Sequence, residues 1–201
     1  MSLLEIEAVA LRPNELFTWT SGIKSPIYCD NRLTMSYPAI RDLIAEGFAT
    51  VIRENYPDAE IIAGTSTAGI PHAAWVAQKL NLPMVYIRDK AKGHGKQNQI
   101  EGRILPGQKV VVIEDLISTG GSSLKAGLAV REAGAEVLSV LAIFTYEFDI
   151  AAEAFAAEQM PLATLSNYSA LIDTAVELGK IAAADVDNLQ AWRKDPQSFG
   201  K

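Results

Sequence analysis

Two hydrophobic periods divide this chain. Residues 61–64, 84–87, 109–113 and 136–144 are mostly apolar and rich in Val and Ile, without regular polar alternation. That pattern predicts strands buried on both faces, as in a parallel sheet. Between them the apolar positions recur at helical spacing. It predicts helices from about Ser36 to Tyr56, from the turn at 65–69 through Leu80, and over 124–133 and 150–158. Pro38 suits a first helical turn. Residues 162–165 read as a weak strand, and 167–180 and 184–193 as C-terminal helices. At the front, 3–11 has helical spacing stopped by Pro13. Residues 17–21 and 26–30 read as two short strands of a hairpin around Gly22.

Strand and helix alternate from residue 60 to 165. The expected architecture is α/β, with a mostly parallel central sheet flanked by helices. Residues 1–35 read as an N-terminal helix and hairpin, 36–165 as the α/β core, and 166–201 as C-terminal helices, all within one compact domain. Ligands of such sheets sit at the carboxyl ends of the strands. Loops 65–69, 88–102 and 115–121 all leave strands at that edge, so topology alone predicts that they converge.

The central stretch carries the first chemical signal. The strand at 109–113 is followed by Glu114 and Asp115, then Leu116, Ile117, Ser118, Thr119, Gly120, Gly121, Ser122 and Ser123. A Gly-rich turn at a helix start offers free backbone N–H groups and the positive end of the helix dipole to an anion. Two carboxylates beside it suit a ligand with a phosphate and with hydroxyls or a metal. The stretch is neither a Walker phosphate loop nor a Gly-x-Gly-x-x-Gly dinucleotide turn.

The second signal is a basic loop. Between Arg88 and Arg103 there are five Arg/Lys against two Asp/Glu, in a chain whose net charge is -6. Gly93, Gly95 and Gly102 keep it from forming a stiff element. A long loop without its own structure in a compact domain is functional or disordered. The functional reading is a lid closing over a polyanion such as a pyrophosphate, where Lys and Arg neutralise charge on the leaving group and closure excludes water. His94, between two glycines, has little core to belong to. His72, after Pro71 at a helix start, reads as structural.

Composition narrows the class. The chain has 201 residues and 49% hydrophobic composition, enough for one sizeable core. Its acidic balance argues against general nucleic-acid binding. One cysteine, Cys29, excludes an intrachain disulfide and fits a reducing, cytoplasmic compartment. The apolar runs are too short to span a bilayer, and no secretory signal opens the chain. The opening residues read as the middle of a helix, which leaves an N-terminal truncation open.

The stretch from Val110 to Ser122 resembles the signature of the type I phosphoribosyltransferases: apolar strand, acid pair, two mostly apolar residues, then Ser-Thr-Gly-Gly-Ser. Arg88, Lys92 and His94 are similar to the Arg-x-x-x-Lys-x-His loop of the orotate phosphoribosyltransferases. Phe17-Thr-x-x-Ser-Gly-x-Lys-Ser-Pro resembles their hood, and Gly64-Thr-Ser-Thr-Ala-Gly-Ile-Pro71 their pyrophosphate peptide. The Asn167-Tyr168-Ser169 region is a weaker match. The wording as a whole resembles the Gram-positive form. It departs from the enterobacterial form at Ala68, Thr20 and Tyr146, where that form carries two lysines and an arginine, and those three contacts are not carried over.

The resemblance implies a type I phosphoribosyltransferase fold and the reaction of orotate with 5-phosphoribosyl 1-diphosphate (PRPP) to give orotidine 5′-monophosphate and pyrophosphate, a step of pyrimidine (UMP) biosynthesis. It implies catalytic roles for Arg88, Lys92, His94 and Asp115. The diphosphate substrate is expected on those residues with Glu114, Leu116, Ile117, Ser118, Thr119, Gly120, Gly121, Ser122, Thr67 and Ala68. Orotate is expected beside Ser118, Tyr28 and Cys29, its carboxylate on Lys24 or Arg32. Mg²⁺ is expected without a dedicated protein cage, held mainly by substrate with help from Glu114 and Asp115. A homodimer sharing the lid across its interface is also implied. Asp89 stands where many members have a lysine that reaches the partner, and Lys90 or Lys96 are candidates to replace it. The alternatives are a purine or uracil phosphoribosyltransferase, and a non-catalytic sensor of the diphosphate.

Overall fold

The computed structural model describes residues 2–19, 22–90 and 99–199. The chain opens with a single helical turn, α1 (Ser2–Glu5), followed by short strands β1 (Val9–Leu11), β2 (Phe17–Thr18), β3 (Lys24–Ser25) and β4 (Ile27–Cys29). A 3-10 turn (Asn31–Ser36) leads into α2 (Pro38–Asn55). Then come β5 (Ile61–Thr65), α3 (Gly69–Leu80), β6 (Met84–Ile87), β7 (Ile100–Glu101), β8 (Lys109–Ile117), α4 (Gly121–Glu132), β9 (Glu136–Thr145), α5 (Asp149–Ala157) and β10 (Leu162–Asn167). The chain closes with α6 (Tyr168–Glu177) and α7 (Val186–Lys194).

Among the described residues the central sheet runs β10-β9-β8-β5-β6-β7. Every pairing in it is parallel except β6 with β7. The α/β expectation therefore holds. The unbroken apolar run of β8 follows from burial on both faces. Val110 and Val112 pack with Ala126, Val130 and Phe155 of α4 and α5. Val111 and Ile113 point the other way, into a cluster with Ile44, Phe48, Ala73 and Val76 of α2 and α3. Successive side chains of a strand alternate faces, so two helical layers require apolar residues at every position.

This strand order also locates a crevice. From β5 the chain crosses to β6 on one side, and from β8 it crosses to β9 on the other. The loops after β5 and β8 therefore diverge, leaving space at the carboxyl edge between them.

The front of the chain departs from the sequence pattern. Residues 3–11 are not one helix. Glu7 adopts φ 58°, which ends the helical turn, and β1 then pairs with β4 through Val9↔Cys29 and Leu11↔Ile27. The hairpin around Gly22 is correspondingly shorter: Phe17 pairs with Ser25 and Thr18 with Lys24. The strand read at 26–30 thus pairs with β1 instead of with 17–21. Local periodicity cannot distinguish these pairings, because the partner for β4 lies some twenty residues upstream.

Three other boundaries shift. β8 continues through Ile117, so Glu114 and Asp115 lie within the strand and not after it. Helix α4 begins at Gly121, ahead of its first apolar position. β10 reaches Asn167, past the expected core boundary. The hood and the C-terminal helices share one cluster, in which Trp192, Tyr168, Phe144 and Ile27 are fully buried.

Candidate active site

Past Ile113 the neighbour of β8 on the β5 side is lost. The β5 register ends at Gly64↔Ile113, while β9 stays paired through Glu114↔Ala142, Leu116↔Phe144 and Ile117↔Thr145. The last four residues of β8 therefore border open space on one side. A cleft of about 370 Å³ lies there, lined by Cys29, Asp30 and Arg32 of the hood side, Ser66, Thr67 and Ala68 after β5, and Glu114, Asp115, Leu116 and Ser122. Two of the three loops expected to converge meet in this cleft. The third, the basic loop, leaves β6 and returns on β7, whose antiparallel pairs Tyr86↔Glu101 and Ile87↔Ile100 hold its stem at the same edge.

Close backbone approach shapes both anion-facing turns. A Cβ on Gly69 would collide with the Ile113 carbonyl oxygen and with Thr65 Oγ1, so only glycine lets α3 start this near to β8. Thr65 Oγ1 donates to the Ile113 carbonyl at 3.1 Å. Ser66 donates to the Ile87 carbonyl through both its N–H (2.9 Å) and its hydroxyl (2.5 Å). These bonds tie the 65–68 turn to β6 and β8. Gly120 adopts φ 77°, and a Cβ there would sit 2.8 Å from Phe155 Cε2. It caps α4 with its carbonyl, which accepts from Leu124 N–H at 2.9 Å and Ser123 Oγ at 3.1 Å. Gly121 has open space around it, so the first N–H groups of α4 face an uncrowded turn.

The two acids differ in setting. Glu114 is buried, and its Oε1 accepts the Asp115 N–H at 3.0 Å. Burial pushes the Glu114 carboxyl up to about 8, and the neighbouring Asp115 adds to the rise. Asp115 is half-buried and lines the cleft. Burial also raises the Cys29 thiol, with Asp115 and Asp30 adding to it, so the hood cysteine stays a thiol at neutral pH.

The sequence candidates are distributed unevenly. Thr67, Ala68, Glu114, Asp115, Leu116, Ser122, Cys29 and Arg32 share the cleft. Arg32 is already paired there: its Nε and Nη2 donate to Asp30 at 2.6 and 2.8 Å. Arg88 stands at the loop stem, 3.3 Å from Glu101, and shares a small recess with Ser66, Ser122 and Lys125. Ile117 is buried, and Ser118 and Thr119 line a second cavity of about 500 Å³. Tyr28 is exposed and Lys24 donates to Thr18 Oγ1 at 2.7 Å on the β2–β3 hairpin; neither lines the cleft. Lys92, His94, Lys96 and Thr20 lie outside the described residues. Tyr146 is buried among Trp19, Phe144, Phe148 and Trp192, which gives it a packing role in the hood. His72 is buried on α3, as expected of a structural residue.

Two residues escaped the sequence reading. Asn31 is buried and its Nδ2 donates to the Asp115 carbonyl at 2.7 Å, joining hood to acid strand across 84 residues. Lys125, one turn into α4, adds a cation beside Arg88. Only the helical offset from Gly121 could have pointed to Lys125, and nothing local marks Asn31.

The class this fold and cleft define is that of the phosphoribosyltransferases, and the phosphoribosyl transferase domain family matches residues 34–154. The chain is 66% identical over 199 residues to an orotate phosphoribosyltransferase of Enterococcus faecalis, covering 99% of this chain and 95% of that protein. It is 60% identical over 198 residues to one of Bacillus caldolyticus, covering 98% of this chain and 96% of that protein. Among solved structures it is similar to the orotate phosphoribosyltransferase of Aeropyrum pernix, with a TM-score of 0.76 and 28% identity over 90% of this chain and 98% of that one. The chain belongs to the orotate phosphoribosyltransferase family.

Proposed function

We propose that the chain transfers the phosphoribosyl group of PRPP to orotate, forming orotidine 5′-monophosphate and pyrophosphate for pyrimidine nucleotide synthesis. The observation that carries this reading is the cleft itself. One acid strand, one phosphate-type turn and one short anion-facing turn meet at a single sheet edge under a hood.

The transition state of such a transfer has ribosyl oxocarbenium character and a departing pyrophosphate, so the protein acts by positioning and electrostatics. The backbone N–H groups and hydroxyls of 118–122 hold the 5′-phosphate at the start of α4. Asp115, with Glu114 behind it, accepts from the ribose hydroxyls. Thr67, Ala68 and Arg88 receive the pyrophosphate, with Lys92 and His94 of the loop supplying further cationic and hydrogen-bonding groups. Cys29 and Tyr28 belong to the hood over the base, and Ser118 stands beside it.

The oxygen donors of Glu114 and Asp115 fit Mg²⁺, a hard cation that keeps waters and takes ligands from substrate phosphates. In this reading the substrate's phosphates and waters carry most of the coordination. Bound Mg²⁺ would neutralise diphosphate charge. A homodimer with the basic loop shared between subunits, in the cytoplasm, completes the reading. No helix among the described residues is long and apolar enough to cross a membrane.

The test is the loss of orotate ultraviolet absorbance on mixing with PRPP, with and without Mg²⁺. Mg²⁺-dependent loss is the expected result. Consumption of hypoxanthine, adenine or uracil in place of orotate would keep the fold and overturn the base. Retained diphosphate binding with no base consumed would favour the sensor alternative.

A further inference from the structure

We propose that Arg193, near the end of α7, is the residue that recognises the carboxylate of orotate and so sets base specificity. The inference rests on the orotate reading above. Orotate differs from uracil by one carboxylate, so a site that prefers it needs an oriented cation. Lys24 and Arg32, the hood cations expected to hold it, each have another partner, and a third, Arg12, lies over the Phe17 ring. Lys24 donates to Thr18 Oγ1 on the β2–β3 hairpin. Arg32, largely exposed, gives its Nε and Nη2 edge to Asp30.

The second cavity supplies what the hood lacks. Its volume is about 500 Å³, and Ser118 and Thr119 of the phosphate turn form one wall. Trp19, Ile23 and Phe148 add apolar lining, and Arg193 and Lys194 bring positive charge, against the one carboxylate of Asp149. A cavity lined by aromatic and aliphatic groups together with a hydroxyl and a guanidinium suits a planar heteroaromatic acid.

Arg193 is also held in place. Its neighbour Trp192 is fully buried, and Trp192 Nε1 donates to the Lys24 carbonyl at 3.0 Å, which seats α7 on the hood. The guanidinium Nη1 donates to Glu147 Oε2 at 3.4 Å and to Ser169 Oγ at 3.3 Å. Glu147 in turn accepts from the Ser169 N–H and hydroxyl at 2.8 and 2.6 Å, at the start of α6. Nη1 is thus anchored, and among the described residues no hydrogen bond engages Nε or Nη2, the edge that would present a fork to a carboxylate. Lys194 is exposed and lacks such a frame.

The experiment measures KM for each substrate separately. Arg193→Gln is expected to raise the orotate KM by about 10- to 100-fold, the loss of a charge-assisted hydrogen bond, and to leave the PRPP KM within about twofold. Arg193→Lys is expected to fall between, because lysine keeps the charge but not the planar fork; it also carries the test if the glutamine variant does not fold. An unchanged orotate KM would overturn the assignment. A rise confined to PRPP would overturn it too, moving Arg193 to the 5′-phosphate, and an equal rise for both substrates would make its role only structural. Failure of the unaltered protein to consume orotate would sink the underlying reading instead, and is seen before any variant is made.

Discussion

The side-chain amide of Asn31 donates to the backbone carbonyl of Asp115 at 2.7 Å. This bond fixes the distance between the hood and the acid strand, because Asn31 also starts the 3-10 turn that leads into α2, where its carbonyl accepts from Thr34 Oγ1 at 2.6 Å. Cys29, the last residue of β4, donates its thiol to Asn31 Oδ1 at 3.4 Å. The amide therefore serves both neighbours, with its oxygen facing the hood strand and its nitrogen facing β8.

Replacing Asn31 by Ala leaves a carbonyl in the cleft wall without its donor. The expected loss is about 1–3 kcal/mol of unfolding free energy, read by urea denaturation. A fall in kcat/KM of about tenfold should accompany it, since the hood loses its register with Asp115. A variant with unchanged denaturation midpoint and unchanged kinetics would show that the bond positions nothing.

Gly120 should tolerate no side chain. Ala at φ 77° costs roughly 1–2 kcal/mol, and its Cβ would meet Phe155 at 2.8 Å. Gly120→Ala is expected to lower thermal stability and to raise the PRPP KM, because the turn and the start of α4 must shift together. Gly121, with open space around it and no positive φ, is the control: Gly121→Ala should cost little stability. Equal destabilisation by the two variants would contradict the geometry.

His72 predicts the acid limb of stability. Burial lowers its pKa to about 4, and neither ring nitrogen has a hydrogen-bond partner among the described residues. Its ring meets Trp75 edge-on at 5.3 Å. The folded state keeps the ring neutral, while the unfolded chain takes up a proton below the ordinary value of 6.5. The unfolded state thus binds more protons between pH 6.5 and 4, and stability falls across that window as pH drops, by up to roughly 3 kcal/mol. His72→Met should flatten this limb, so its melting temperature should gain on the unaltered protein progressively from pH 7 to pH 5. A difference that does not change with pH would rule out His72 as the titrating group.

Short-range order was legible wherever chemistry and backbone geometry coincide in adjacent residues. The Val-Val-Val-Ile run of β8 specifies a strand covered on both faces. The Ser-Thr-Gly-Gly-Ser turn specifies an anion-facing helix start, since φ 77° at Gly120 is a property that a single residue type confers. The alternation of strand and helix from residue 60 onward specified the parallel sheet and, with it, the edge where the loops meet. The family followed from these same contiguous motifs.

Long-range pairing decided the rest. The β1–β4 ladder replaced a helix because its strands stabilise each other only once folded, and helical spacing at 3–11 carries no record of a partner at 27–29. The extension of β8 through Glu114 and Asp115 depends on β9 continuing beside it after β5 has ended. Lys24 and Arg32 are equivalent hood cations in the sequence, and only the fold gives them different partners, Thr18 Oγ1 and the Asp30 carboxylate. Arg193 stands 75 residues after Ser118, and only the seating of Trp192 beneath the hood brings the two to one cavity. Motifs confined to neighbouring residues write their geometry into the chain, whereas contacts between distant residues exist only after the core has closed.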